Sequence, residues 1–333
     1  MWEARKGELE GRIAMRGPAA LVALSIGCLW QAQTPIRVDV NQAESPFRVN
    51  VNLVSVAFSV RDENGRLVTD LSKEDFDVLE DAAPQEIAFF ARSADVPLEL
   101  ALVVDFSGSQ EHSLKQHHKD LQLFLKEVLG PRDRAFLVCF GNFVRLVSDS
   151  SSDADVLIQR MHMFEEGERR FPQIGPPERR ELGTAFYDAI YYPVTEKLAK
   201  AESGRRALLM FSDGEDNSSS HNMMETVEAS QAADVLFYAI RYTERVRGGP
   251  TARNRYGTSV MDRVARETGG MHYDAAKTDL RTTFRQIGEE LRLSYELAYH
   301  SSNAVKDGSF RKIVIRPKRA GLTVRAKTGY FAR

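Results

Sequence analysis

Residues Leu98–Ser109 read LELALVVDFSGS, and this stretch decides how the chain folds. An apolar run of this length that stops at turn-forming residues is typical of a strand buried in the centre of a parallel sheet. In open α/β sheets, functional sites lie at the carboxyl ends of the strands. Asp105, Ser107 and Ser109 are expected there, on a turn that Gly108 allows to bend tightly. Carboxylate and hydroxyl oxygens suit a hard divalent cation, so the stretch predicts a site for Mg²⁺, Mn²⁺ or Ca²⁺.

Two later segments offer the same kind of oxygen ligand. Thr184 stands in Leu182–Ala185 (LGTA), which is predicted to open a helix, and Asp213 follows the apolar run in Leu208–Asp216 (LLMFSDGED). Each piece also has an ordinary structural explanation, because serines cap helices and Asp-Gly pairs form turns. Those explanations do not account for the shared position of the motifs at the tips of predicted strands.

The order Asp-x-Ser-x-Ser, then Thr, then Asp-Gly resembles the metal-ion-dependent adhesion site (MIDAS) of von Willebrand factor A (VWA) domains. The resemblance implies metal ligands at Asp105, Ser107, Ser109, Thr184 and Asp213. In that family the hydroxyls face the ion, the aspartates bind it directly or through water, and an acidic side chain of a protein partner completes the coordination shell. The resemblance therefore implies cation-dependent protein binding, with a role in adhesion or assembly.

The alternation of strand and helix patterns over residues 97–294 predicts an α/β fold. We expect a Rossmann-like VWA domain, in which helices cover both faces of a central, mostly parallel sheet. The apolar runs Ala135–Phe140 and Phe143–Val147 flank a Gly-Asn pair and predict a hairpin, so one edge strand should be antiparallel. Helices are predicted over Thr184–Lys200 and Ser259–Thr268, among others.

Both ends of the chain have the pattern of β structure. Residues 36–95 predict a small immunoglobulin-like β domain, and residues 295–333 predict further strands. We expect the two parts to pack together as one β-sandwich-like domain, with the VWA domain inserted between them. The segments Leu71–Phe76 (LSKEDF) and Gly329–Phe331 (GYF) make this layout similar to a family of VWA-related proteins common in acidobacteria.

Residues 1–34 predict a signal peptide or an N-terminal anchor. Arg12 and Arg16 precede the apolar run Ala19–Trp30, which is short for a membrane span but typical of a secretory signal. Three outcomes stay open: a cleaved signal, an uncleaved anchor, and a lipoprotein attached through Cys28. The protein is expected to be secreted, or to reside in the periplasm or cell envelope, and to meet a membrane only through this anchor or lipid.

The composition narrows the classes of function. A length of 333 residues predicts about two domains, and a net charge of −2 gives no reason to expect nucleic acid as a partner. The two cysteines, Cys28 and Cys139, provide neither a disulfide framework nor a cysteine-based zinc site. The charged loops Glu165–Glu181 and Tyr242–Gly257 are interpreted either as solvated insertions or as surfaces that select a partner.

No enzyme motif stands out in the sequence. Ser107 does not stand in a Gly-x-Ser-x-Gly elbow, because Asp105 takes the place of the first glycine. Neither a His-Glu-x-x-His helix nor a phosphate-binding glycine loop occurs. His117 and His118 are interpreted as structural or exposed, and four more histidines lie apart: His162, His221, His272 and His300. We therefore expect no catalytic residues and no organic cofactor. Two alternatives stay open, a metal-assisted hydrolase that uses an ion-bound water and a purely structural envelope domain.

Overall fold

The computed structural model describes residues 53–167, 171–176, 183–243 and 251–333. The predicted signal or anchor, residues 1–34, lies outside them. The described residues from Leu53 onward belong to one compact unit, so the division into separate domains 36–95, 97–294 and 295–333 stays a prediction. In this part of the chain, no helix has both the length and the apolar character that crossing a bilayer requires.

Strands and helices alternate through the middle of the chain, and strands dominate at both ends of the described part. The strands are β1 (Leu53–Arg61), β2 (Phe76–Glu80), β3 (Ala83–Gln85), β4 (Ile87–Ser93), β5 (Leu98–Asp105), β6 (Arg134–Phe140), β7 (Val144–Ser151), β8 (Arg205–Ser212), β9 (Leu236–Arg241), β10 (Met271–Asp274), β11 (Ser294–His300), β12 (Phe310–Pro317), β13 (Thr323–Ala326) and β14 (Gly329–Phe331). The α-helices are α1 (Leu114–Val128), α2 (Ala154–Glu165), α3 (Asp188–Glu196), α4 (Met223–Ala232), α5 (Ala252–Thr268) and α6 (Leu280–Arg292). Short 3₁₀ helices lie at Lys73–Asp75, Gly108–Ser113 and Leu198–Lys200.

A six-stranded sheet forms the centre of the α/β part, in the order β10-β9-β8-β5-β6-β7. All neighbouring strands run parallel except β6 and β7, which form the predicted antiparallel hairpin. β5 lies between β8 and β6, and its residues from Leu100 to Asp105 are fully buried. The predicted α/β class, with a central and mostly parallel sheet, is confirmed.

Different helices cover the two faces of this sheet. Leu102 of β5 belongs to an apolar layer formed with α1, α2 and α6, which contribute Phe124, Leu157 and Phe284. Val103 belongs to the layer on the opposite face, to which α3, α4 and α5 contribute Ile190, Val227 and Val260. Adjacent residues of β5 enter different layers because successive side chains of a strand point to opposite faces of the sheet.

The helix predicted to begin at Thr184 begins later. α3 starts at Asp188, because the preceding backbone is held by side chains from the loop after β8. The N–H of Thr184 donates to Oδ1 of Asn217 at 2.6 Å, and the N–H of Phe186 donates to Oδ1 of Asp216 at 2.9 Å. These contacts come from residues distant in sequence, so helical periodicity alone does not show where α3 starts.

The helix predicted over Ser259–Thr268 is longer at its N-terminus. α5 begins at Ala252, inside the segment Tyr242–Gly257 that was interpreted as a charged loop. Thr251 caps the helix, since its hydroxyl accepts the N–H of Asn254 at 3.1 Å. A hydrogen-bonded cap of this kind satisfies an N–H group that the first turn would otherwise leave without a partner.

The remaining strands form two antiparallel four-stranded sheets, ordered β13-β1-β11-β4 and β14-β12-β2-β3. In both sheets, strands from the beginning of the described chain pair with strands from its end: β1 pairs with β11 and β13, and β2 pairs with β12. The two sheets share an apolar core that includes Phe58, Phe76, Tyr295 and Ile313. The rings of Phe58 and Tyr295 stack with centroids 5.3 Å apart.

Glu290 of α6 connects one of these sheets to the helices. Its buried carboxylate accepts hydrogen bonds from the Ser59 hydroxyl and from the Arg61 guanidinium of β1, both at 2.6 Å. Hydrogen bonds to an ionised group are stronger than neutral ones. This contact therefore helps to hold the β structure and the α/β structure together as one unit.

Leu102→Asp is expected to unfold the protein. Leu102 is 0% exposed, and an unpaired carboxylate in the centre of the sheet costs about 4 kcal/mol or more. Urea unfolding followed by circular dichroism measures the effect. The control is Val305→Asp, because Val305 is 59% exposed and its replacement should change the free energy of unfolding by at most about 0.5 kcal/mol. Wild-type stability of Leu102→Asp would contradict the central position of β5.

Candidate metal centre

Asp105 ends β5 with a fully buried carboxylate. Its Oδ1 accepts the N–H of Ser107 at 2.8 Å, and its Oδ2 accepts the hydroxyl of Ser212 at 2.6 Å. Ser212 is the last residue of β8, which pairs in parallel with β5. The parallel pairing therefore brings the tips of the two strands together at one edge of the sheet.

A series of side-chain hydrogen bonds connects these two strand tips. The hydroxyls of Ser107 and Ser109 lie 3.1 Å apart, and the Ser109 hydroxyl donates to Oδ2 of Asp213 at 2.8 Å. Asp213 directly follows β8 and is 3% exposed. We call Asp105, Ser107, Ser109 and Asp213 the strand-tip cluster. Four of the five predicted ligands thus belong to one hydrogen-bonded group.

Thr184, the fifth predicted ligand, lies beside the strand-tip cluster. The next residue, Ala185, donates its N–H to the carbonyl of Gly141 at 2.8 Å. Gly141 in turn borders the cluster, since a Cβ at this position would lie 3.6 Å from the backbone nitrogen of Ser107. Among the described residues, no hydrogen bond joins the Thr184 hydroxyl to the cluster. Its role as a ligand stays a prediction.

Two glycines allow the loops of the site to approach each other closely. A Cβ at Gly257 of α5 would lie 2.3 Å from the carbonyl oxygen of Asp213. At Gly183, φ is +136° and a Cβ would lie 2.6 Å from Cβ of Ser218. Only glycine permits such approaches without a shift of the backbone. α5 and the segment before α3 are therefore fixed against the loop that follows β8.

Three further residues shape the site, and the sequence analysis did not identify them. Gln110 is 2% exposed, and its Nε2 donates to Oδ2 of Asp213 at 2.7 Å. Ser212 binds Asp105, as described above, and Asn217 holds the segment before α3. Each of them is adjacent to a motif residue or lies a few residues beyond one, and this closeness in sequence was the signal that could have pointed to them. Which polar neighbour turns inward depends on loop conformation, so the sequence alone did not single them out.

The two carboxylates of the strand-tip cluster repel each other electrostatically. Burial and the nearby negative charge of Asp213 raise the pKa of Asp105 from 3.8 to about 7. Hydrogen bonds from Ser107 and Ser212 act in the opposite direction and offset only part of this effect. Within the described part of the chain, neither carboxylate forms an ion pair with a lysine or an arginine.

The donor set fits a hard divalent cation. Mg²⁺ and Ca²⁺ bind oxygen ligands, and a cation between the two carboxylates would relieve their repulsion. Oε1 of Gln110 is buried and has no hydrogen-bond partner among the described residues, so an unused oxygen acceptor also lies at the site. The residues that would hold the ion are Asp105, Ser107, Ser109 and Asp213. Thr184, which lies beside them, offers a further hydroxyl.

The interpretation of the histidines was wrong in one respect. His162 does not lie apart, since it and Glu165 of α2 meet His118 of α1, and the two imidazole centroids are 4.1 Å apart. We call these three residues the histidine–glutamate cluster. His117 is fully buried, which agrees with a structural role, and Tyr242 covers its ring at a centroid distance of 4.3 Å. Both contacts depend on packing between distant elements, which sequence spacing does not reveal.

The two charged loops are described only in part. In the segment Glu165–Glu181, residues 168–170 and 177–181 lie outside the described residues. In the segment Tyr242–Gly257, Arg245 and Arg247 lie outside them, whereas Arg253 belongs to α5 and pairs with Glu215 at 3.0 Å. Arg253 therefore stands near the strand-tip cluster, because Glu215 follows Asp213 by two residues.

Comparison with known proteins gave similarities in fold. No family model and no curated protein matches the sequence. Similar solved structures include the conserved hypothetical protein BatB from Bacteroides thetaiotaomicron, at 17% identity and a TM-score of 0.42, covering 58% of this chain and 98% of that one. Manganese-loaded TRAP protein of Plasmodium vivax has 13% identity and a TM-score of 0.43, covering 75% and 97%. The SpRpn10 VWA domain has 12% identity and a TM-score of 0.37, covering 56% and 93%.

Asp105→Asn is expected to stabilise the metal-free protein at alkaline pH. The folded protein holds Asp105 with a pKa of about 7, against a usual value of 3.8. Between these values the folded state binds more protons than the unfolded state, so this carboxyl lowers the free energy of unfolding as the pH rises. The stability difference between Asp105→Asn and the wild type should therefore grow by about 3 kcal/mol from pH 5 to pH 8.

Urea denaturation in EDTA at several pH values measures this difference. Asp70→Asn is the control for the loss of a carboxylate, because Asp70 is exposed and lies outside the strand-tip cluster. Parallel pH profiles for Asp105→Asn and the wild type would contradict the raised pKa of Asp105.

Proposed function

We propose that the chain is an exported VWA-domain protein that binds a protein partner through a divalent cation. The ion is Mg²⁺, with Mn²⁺ or Ca²⁺ as alternatives, and its ligands are Asp105, Ser107, Ser109, Thr184 and Asp213. The role is adhesion or assembly, outside the cell or in the periplasm or envelope. The proposed location rests on the signal-like sequence of residues 1–34.

The observation that carries this proposal is the pair of buried carboxylates at adjacent strand tips. Asp105 and Asp213 are almost completely buried, and the hydroxyls of Ser107 and Ser109 form a chain of hydrogen bonds that ends at Asp213. A buried pair of like charges is unfavourable unless a counterion or a proton neutralises it. A hard divalent cation does so with the oxygen ligands that are present.

The strand-tip cluster has one exposed end, and that end supports a role in binding. Ser109 is exposed, whereas Asp105 and Asp213 are buried. A partner would therefore approach from the side of Ser109. A carboxylate of the partner is a suitable further ligand for a hard cation, and such a desolvated charge contact gives specificity to a modest interface.

The position of Arg253 supports the proposal that the partner is acidic. Its side chain is 70% exposed and pairs with Glu215 at 3.0 Å, and the N–H of Glu215 donates to Oδ1 of Asp213 at 3.0 Å. The pair thus places an exposed guanidinium near the rim of the proposed site. Charges at the rim of an interface mainly increase the association rate and its dependence on salt.

Ser107→Ala and Thr184→Ala are each expected to weaken Mg²⁺ binding by at least about tenfold, because loss of even an indirect partner of a metal typically costs that much. The melting temperature of the metal-free protein should change little, since each variant loses one hydroxyl. Isothermal titration calorimetry measures the affinity for Mg²⁺ and Mn²⁺. Ser113→Ala is the matched control, as this serine stands beyond the motif at the start of α1 and makes no capping hydrogen bond. Unchanged affinity in both ligand variants would contradict the assigned site.

A partner-capture experiment distinguishes the binding role from the two alternatives, a structural envelope domain and a metal-assisted hydrolase. The full chain, immobilised with Mg²⁺, should retain a protein from envelope extract that EDTA releases and that Ser107→Ala does not retain. A structural envelope domain would instead lose melting temperature on chelation without losing a partner. A hydrolase would turn over phosphoester or peptide substrates with Mg²⁺, and Asp105→Ala would abolish that turnover. Either of these last two results would contradict the proposed function.

A further inference from the structure

The histidine–glutamate cluster joins α1 to α2 and is separate from the strand-tip cluster. Nδ1 of His118 lies 3.3 Å from Oε1 of Glu165, and Nδ1 of His162 lies 3.3 Å from Oε2 of the same carboxylate. One ligand atom of each residue lies within 4.8 Å of the other two. His118 is buried, whereas the side chain of His162 is 56% exposed. The cluster is therefore open to solvent on one side and anchored in the core on the other.

These separations suit a small borderline cation. Zn²⁺ binds imidazole nitrogen and carboxylate oxygen at about 2.0–2.2 Å, so neighbouring ligand atoms in a tetrahedral site lie about 3.4 Å apart. Each histidine nitrogen already lies at about this spacing from one oxygen of Glu165, His118 from Oε1 and His162 from Oε2, both at 3.3 Å. The other separations among the three ligand atoms are at most 4.8 Å, and the exposed side chain of His162 is the one with room to adjust.

Gln122 provides a partner for the other ring nitrogen of His118. Its Nε2 lies 3.0 Å from Nε2 of His118, one helical turn further along α1. Histidines that bind metals commonly use the second ring nitrogen in a hydrogen bond that fixes the ring. A side-chain amide can offer either its nitrogen or its oxygen by a flip. Gln122 can therefore accept the proton of Nε2 when Nδ1 of His118 holds a cation.

We propose that His118, His162 and Glu165 bind a borderline divalent transition metal of the Zn²⁺ class. Two imidazoles and one carboxylate are a ligand set that proteins use for Zn²⁺, whereas Mg²⁺ and Ca²⁺ prefer sites made of oxygen atoms. With three protein ligands, at least one coordination position remains for water. The strand-tip cluster offers only oxygen ligands, so the two clusters would select different classes of metal ion.

The proposed site is connected to the strand-tip cluster by aromatic packing. Phe164, which lies between the two α2 ligands in sequence, meets Phe106 edge to face with ring centroids 4.9 Å apart. Phe106 stands between Asp105 and Ser107. A Zn²⁺ ion that bridges α1 and α2 would therefore fix the last turn of α2 against the loop that carries the oxygen ligands.

Zn²⁺ titration of the full chain by calorimetry tests this inference. The titrations use the wild type, Asp105→Asn, His162→Ala, Glu165→Gln and His300→Ala, each freed of metal beforehand and checked for folding by circular dichroism. His162→Ala is preferred to a change at His118, because the exposed side chain can be removed without a cavity in the core. His300→Ala is the matched control, since it removes an exposed histidine at the end of β11. Co²⁺ serves as a second probe, because its visible absorption reports nitrogen ligation.

The wild type is expected to bind one equivalent of Zn²⁺, and Asp105→Asn and His300→Ala should bind it with the same affinity. His162→Ala and Glu165→Gln should bind Zn²⁺ at least about tenfold more weakly. The Co²⁺ absorption should be lost in the same two variants. Absence of Zn²⁺ binding by the wild type, or wild-type affinity in His162→Ala, would overturn the inference. Loss of binding in Asp105→Asn alone would also overturn it, because Zn²⁺ would then occupy the strand-tip cluster. The inference does not depend on the proposed partner binding.

Discussion

The burial of the Asp105 carboxylate beside that of Asp213 is the constraint on which the site depends. Parallel pairing of β5 and β8 brings their carboxyl ends to one edge of the sheet. The residues that follow the two strands therefore lie close to one another. Ser212, Ser107 and Gln110 supply hydrogen bonds to the two carboxylates, but these do not cancel the cost of placing like charges out of water. The protein thus keeps a charge arrangement that lowers its stability at neutral pH, as functional sites often do.

The sequence predicted those parts of the structure that follow from local patterns. The length and apolar character of β5 indicated a central strand, and the hairpin of β6 and β7 followed from two apolar runs around a Gly-Asn turn. Asp105, Ser107, Ser109 and Asp213 were expected to meet because parallel strands end at one edge. Features set by contacts between distant segments were missed, such as the delayed start of α3, which depends on Asn217 and Asp216, and the inward position of Gln110.

The histidine–glutamate cluster shows that sequence patterns also fail to reveal the proposed second site. His118 lies on α1, and its partners His162 and Glu165 are spaced i,i+3 on α2. That spacing on one helix could have drawn attention to the pair, but the third group becomes a neighbour only when α1 and α2 pack on the same face of the sheet. The edge-to-face contact of Phe106 with Phe164 then places the two clusters on either side of one aromatic pair. Helix packing, rather than sequence spacing, determines this arrangement.

The most direct measurement for the strand-tip cluster is anomalous X-ray diffraction from crystals of the full chain grown with Mn²⁺. Mn²⁺ takes the place of Mg²⁺ at sites made of oxygen atoms, and its anomalous signal marks its position without reference to activity. The account predicts one strong peak within about 2.0–2.6 Å of the Ser107 and Ser109 hydroxyl oxygens, next to the carboxylates of Asp105 and Asp213. A map without a peak at this edge of the sheet, with the four side chains hydrogen-bonded only to one another, would contradict it.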